Sequence, residues 1–202
     1  GGCNSASVYI SSYRSLAERE GFAIDGPTDR ARKDAIRSCE RGRGARVRAQ
    51  ALPMDRLHTL PGGSEPWSAG GPLGPRNALV AGAWFLTREL ELSTARARDI
   101  SVDRKELTGA WFLPASKTDP RAHGVKRVHR CSCPEAGPAS PGCPVHALWD
   151  QLLVLERTFP DLHGTGGPTP ELLLFPTRAG RACTKEAMTR TIQVGATTLG
   201  VV

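Results

Sequence analysis

An α+β fold, with helices packed around a small three-stranded antiparallel sheet and preceded by a short helical N-terminal segment, is predicted by two patterns. Runs of apolar residues at helical spacing lie on either side of residues 98–129. Within that window three short strand-like segments are separated by turn signals. Helices flanking one compact group of strands fit an α+β unit.

Taken in order, residues 5–20 (SASVYISSYRSLAERE) read as a helix, with Val8, Leu16 and the two tyrosines available for one face. Gly21 sits where that helix would stop. Thr28 can cap a second helix carrying Arg30, Arg32, Lys33 and Arg37, which runs on toward Arg41 and Arg43 until Gly42 and Gly44 break it. Its cations read equally as phosphate contacts (Arg30, Lys33, Arg37, Arg41, Arg43) or as a solvated face. Residues 61–75 (PGGSEPWSAGGPLGP) read as a linker between a helical basic segment, 1–60, and a second domain, 76–202.

Beyond it, Arg76 to Glu91 reads as a helix with Leu79, Val80, Ala83, Leu86 and Leu90 inward. Strands are expected over 98–102, 110–115 and 124–129. Pro114 argues for an edge strand or a bulge. Residues 144–159 form a strongly amphipathic helix with Val145, Leu148, Trp149, Leu152 and Leu155 on its apolar side. Residues 172–175 read as a strand or a buried turn, and Thr184 caps a last helix through about Val194.

Composition narrows the function. The 202 residues are 39% hydrophobic, long enough to bury a core. A net charge of +7 favours a polyanionic partner, and a GC-rich coding sequence is the competing explanation for so much Arg. No apolar run approaches the ~20 residues of a membrane span, and no signal-peptide pattern opens the chain, so it reads as part of an intracellular protein, nuclear if eukaryotic.

Two constellations carry chemistry. Arg88 and Glu91 share a helical face at this spacing, so the carboxylate can hold the guanidinium. Lys117, in Ser116-Lys117-Thr118-Asp119, falls at a hairpin tip from which an ammonium can reach a ligand held by Arg88. Together they suggest a site for one phosphate. Cys131-x-Cys133 followed by Cys143-x-x-His146 brings four soft or borderline ligands within 16 positions, a set suited to tetrahedral Zn²⁺ as a structural staple. Buried thiols at the start of a helix are the alternative.

The order Arg88, Glu91-Leu92, Asp99-Ile100 and Lys117 resembles the first part of the catalytic domain of the tyrosine recombinase, or phage integrase, family. The resemblance covers roughly residues 72–200. It implies that Arg88 clamps the scissile phosphate, that Lys117 protonates the departing 5′-oxygen, that Glu91 supports Arg88, and that residues 1–60 end a core-DNA-binding domain. It implies double-stranded DNA as partner, oligomers assembling on that DNA, and chemistry that requires no cofactor. Leu86-Thr87 stands where the family has Gly-Leu. The family's next motif, His-x-x-Arg, does not occur, and the only tyrosines are Tyr9 and Tyr13. The expected function is therefore a DNA-binding part of a DNA breaking-and-rejoining enzyme, catalytically incomplete as it stands. A non-catalytic mobile-element remnant and a zinc-stapled interaction module are the alternatives.

Overall fold

A computed structural model describes residues 6–40, 50–114, 123–134, 138–164 and 167–201. The chain divides into two compact units, Gly1–Ala49 and Gln50–Val202. The second has the α+β architecture that the sequence predicts. Among the described residues no helix is long and apolar enough to cross a membrane.

In the first unit, α1 (Ala6–Arg19) is followed by Gly21 at φ +83, a left-handed conformation that ends the helix. The next helix, α2 (Gly26–Glu40), begins earlier than expected. Its cap is Asp25, whose Oδ1 accepts the Thr28 N–H at 2.8 Å, so Thr28 lies inside the first turn rather than before it. Asp29 gathers Arg32 at 2.9 Å and Lys33 at 2.8 Å. Val8, Tyr9, Tyr13 and Leu16 stay exposed.

In the second unit the 61–75 segment is part of the packed body, and the boundary between the units falls at 49/50 instead. Leu73 is buried, its N–H donates to the Pro176 carbonyl at 2.7 Å, and the Gly74 N–H donates to the Ser64 carbonyl at 2.8 Å. Gly74 has φ +64, and a Cβ there would lie 2.0 Å from Gln151 Oε1, so only glycine fits. Glycine here serves close approach, not flexibility. Leu57 and Leu60 also belong to this unit's core.

The helix expected over 76–91 is two helices. The first, α3 (Pro75–Trp84), ends where Leu86 takes φ +50, and α4 (Glu89–Thr94) then starts afresh. The break turns Leu86 and Leu90 to solvent and buries Phe85 and Leu92 instead. The sheet has order β1-β2-β3, all antiparallel: β1 Ile100–Asp103, β2 Thr108–Leu113, β3 Val125–Arg130. The central strand, β2, stops at Leu113, so Pro114 stands after the ladder and marks neither an edge strand nor a bulge. Trp111 and Leu113 point inward beneath α5 (Pro144–Thr158). Gly109 lets that helix approach, because a Cβ would meet Leu148 Cδ1 at 3.2 Å. A two-residue ribbon, β4 (His163–Gly164) with β5 (Gly167–Pro168), precedes α6 (Lys185–Thr198). Thr184 caps α6, its Oγ1 accepting the Ala187 N–H at 3.1 Å. Phe85, Trp111, Leu148, Leu155, Phe175 and Met188 form the centre of the core.

Candidate metal centre and the Arg88 turn

Just past the end of β3, the Cys131 N–H donates to the Leu107 carbonyl at 2.8 Å, extending the ladder by one bond. The chain then turns, and α5 begins with Cys143 as its N-terminal flanking residue. His146 lies in the first turn of α5, on the same side as the Cys143 thiol. These two neighbouring ends bring together Cys131, Cys133, Cys143 and His146, whose ligand atoms all lie within 4.8 Å of one another. Cys143 Sγ is 3.6 Å from Cys131 Sγ. His146 Nδ1 is 3.4 Å from Cys133 Sγ and 3.8 Å from Cys131 Sγ. The cysteines are free thiols. The four residues form a group able to hold a metal ion.

Backbone amides surround the sulfurs. Ser132 N–H donates to Cys143 Sγ at 3.4 Å, Cys133 N–H to Cys131 Sγ at 3.4 Å, and Ser140 N–H to Cys133 Sγ at 3.1 Å. Burial pushes the Cys143 thiol up, but hydrogen bonds from His146 and Ser132 outweigh it and bring the value down to about 6. Burial likewise pushes Cys133 up, to about 11, against the Ser140 N–H. The neighbouring Cys131 and Cys143 sulfurs raise it further. One thiolate is thus available near neutral pH. The knuckle is anchored at Gly142, whose carbonyl accepts the Trp84 Nε1–H at 2.9 Å. A Cβ at Gly142 would lie 3.0 Å from the His58 backbone nitrogen. Outside the cluster, Trp149 stacks on the His146 ring, and the Arg104 guanidinium lies 4.3 Å from the centre of the Trp149 ring.

The second candidate site is the turn between α3 and α4. Arg88 is the N-terminal flanking residue of α4 and not, as the sequence spacing suggests, a mid-helix residue. Glu91 is still its partner, by a different route. The Glu91 carboxylate accepts the Arg88 backbone N–H at 2.8 Å, as an acidic residue in a first turn does, and lies 3.8 Å from Nη1 of the guanidinium. The Arg88 side chain is 47% exposed against 17% for Glu91, so the guanidinium faces the carboxylate through Nη1 and remains partly open to solvent. Nearby, Lys185 of α6 lies 3.6 Å from the Glu89 carboxylate.

The carbonyls left open where α3 ends are taken by Arg127 of β3, whose guanidinium donates to Phe85 O and to Leu86 O. Sequence reasoning missed Arg127. The available signal was its register: alternation places it on the face of Trp111, its cross-strand partner, where a cation needs acceptors. Lys117, Arg41 and Arg43 lie outside the described residues. Of the remaining basic candidates, Arg30 is exposed, Lys33 is paired with Asp29, and Arg37 lies 3.7 Å from Asp34.

Comparison of the chain with protein-family models, with curated proteins and with solved structures finds no match.

Proposed function

We propose that this chain is a zinc-stapled, DNA-binding part of a breaking-and-rejoining enzyme of the tyrosine recombinase type, unable to cleave DNA on its own. The observation that carries the reading is the setting of Arg88. It stands at a sharp turn, anchored through Glu91, with its guanidinium open to solvent. Arg127 ties that turn to β3, and Lys117 falls between β2 and β3 in the sequence. A planar guanidinium at such a point binds two phosphate oxygens at once, and it favours the charge that spreads over them in phosphoryl transfer. Lys117 would supply the proton to the leaving 5′-oxygen.

No tyrosine of the second unit is present to take the role of nucleophile. Both tyrosines stand before the second unit in sequence, and no His-x-x-Arg occurs. Because such groups act together, losing the nucleophile leaves the others with little to act on. A nicked suicide duplex should therefore trap no covalent adduct with this chain. An adduct abolished by Tyr9→Phe or Tyr13→Phe would overturn that reading.

The donor set of the Cys131–His146 knuckle fits zinc. Sulfurs about 2.3 Å from a tetrahedral Zn²⁺ lie about 3.8 Å apart, and sulfur and nitrogen somewhat less. The 3.6 Å between the Cys143 and Cys131 sulfurs and the 3.4 Å from Cys133 Sγ to His146 Nδ1 are near those spacings, and the whole set, within 4.8 Å, needs only a small contraction to close on an ion. Four protein ligands leave no position for water, so the ion would hold β3 to α5 and take no part in chemistry. Elemental analysis of protein purified without chelator tests this; well under one zinc per chain would reduce the cluster to packing.

A further inference from the structure

We infer that the open face of the three-stranded sheet docks duplex DNA, with Lys126 and Arg130 as its phosphate-binding residues. This rests on the DNA-binding reading above and adds a surface that reading does not assign. The register sets Phe112 opposite Lys126, Ala110 opposite Val128, and Thr108 opposite Arg130. Since Gly109, Trp111 and Leu113 are buried on the other side, alternation sends these pairs to one outer face. Phe112 is 43% exposed and Val128 55%.

Charge selects the partner. Among the described residues neither Lys126 nor Arg130 has an ion pair. The carboxylate of this face, Asp103, accepts the N–H groups of Lys105 and Glu106 at 2.9 and 3.0 Å and so caps its own turn. Spacing selects the duplex. Positions 126 and 130 are separated by about 13 Å along a strand. That is close to the ~12 Å width of the major groove, so the two cations can reach phosphates on its two rims with Val128 between them. A single strand instead calls for successive stacking rings, and Phe112 is the one exposed aromatic of the strands. Cys131 directly follows Arg130, so the metal group fixes the end of the strand that presents it.

The test is a titration of a short labelled duplex against salt, using the full chain. Lys126→Gln with Arg130→Gln should weaken binding at least about tenfold at low salt and reduce the log–log slope by about 1.8, at 0.9 for each phosphate no longer neutralised. Ser101→Lys, which adds a cation at an exposed position of the same face, should raise the slope by about 0.9 and decides the matter should the double variant fail to fold. Slopes unmoved by either change, with the unmodified chain still steeply salt-dependent, would reject this face and leave the DNA reading standing. A flat profile for the unmodified chain would remove both. Tighter binding to the single strand than to the duplex would overturn the choice of partner.

Discussion

The Cys131–His146 knuckle and the Arg88 turn are both tied to β3, one through Cys131 beyond its end and the other through Arg127 within it, yet they are built in opposite ways. In the knuckle, the polar atoms face inward. Three thiols and an imidazole converge, and backbone N–H groups meet the sulfurs from outside. In the turn, the backbone is held (Glu91 on the Arg88 N–H, Arg127 on the Phe85 and Leu86 carbonyls) while the Arg88 side chain stays about half exposed beside Glu91. On the proposed reading, the closed donor set serves the fold and the half-open arginine serves a ligand. Substitutions in the two regions should therefore fail in different ways: stability and metal in one, binding in the other.

The largest effect is expected at the knuckle. Cys143→Ser removes a buried member of the proposed zinc-ligand set, so zinc content should drop to near zero and stability should fall by at least about 3 kcal/mol. For a chain of this size that corresponds to a melting temperature roughly 6–12 °C lower by calorimetry. A variant that melts with the unmodified chain would make the cluster ordinary packing.

Acid should act on the same site. Zinc binding needs deprotonated thiols, so protons compete with the metal and release should steepen as pH falls through about 6, the value of Cys143. Without metal the sign is the same for this group. Its value is depressed on folding, so its contribution is present above the ordinary thiol range, shrinks as pH falls and is gone below about 6. Zinc retention independent of pH across that window would contradict this assignment of the ligands.

Next in size is Arg127→Gln. It leaves the Phe85 and Leu86 carbonyls short of donors at a chain reversal, and a cost of about 1–3 kcal/mol is expected. Because the reversal aims Arg88, duplex affinity should fall as well, with zinc content unchanged. Unaltered stability and binding would remove Arg127 from the account.

Arg88→Gln should be the mirror image of Cys143→Ser. The half-exposed side chain contributes little to the fold, so stability should stay within about 0.5 kcal/mol. The salt slope of DNA binding should fall by about 0.9. A large loss of stability would make the Arg88–Glu91 pair structural.

The two regions also differ in how far the sequence reveals them. The knuckle is legible as a ligand set because ligand chemistry tolerates only a few residue types. What spacing cannot provide is the reach across the fold: Cys131 and Cys143 meet only because the end of β3 and the start of α5 lie side by side. The α+β class, the three strands, α5 and the Thr184 cap are legible from period and turn residues. The break at Leu86 is not. An apolar, helix-forming sequence runs straight through it, and what ends α3 is tertiary, Arg127 reaching across from β3. For the same reason periodicity alone sets Leu86 and Leu90 inward and Arg88 in mid-helix. The glycines and prolines of 61–75 signal irregular backbone correctly, but irregular backbone can be buried when its amides find carbonyls, as Leu73 and Gly74 do.

The claim at the centre of this account is that the chain grips duplex DNA through its open cations while the metal group only holds the frame. Titration of a labelled duplex with the zinc-loaded chain over a range of salt tests it most directly. The account predicts a linear fall of log affinity with log salt, with a slope that Arg88→Gln lowers by about 0.9. A flat profile, or a slope that Arg88→Gln leaves unchanged, would contradict it.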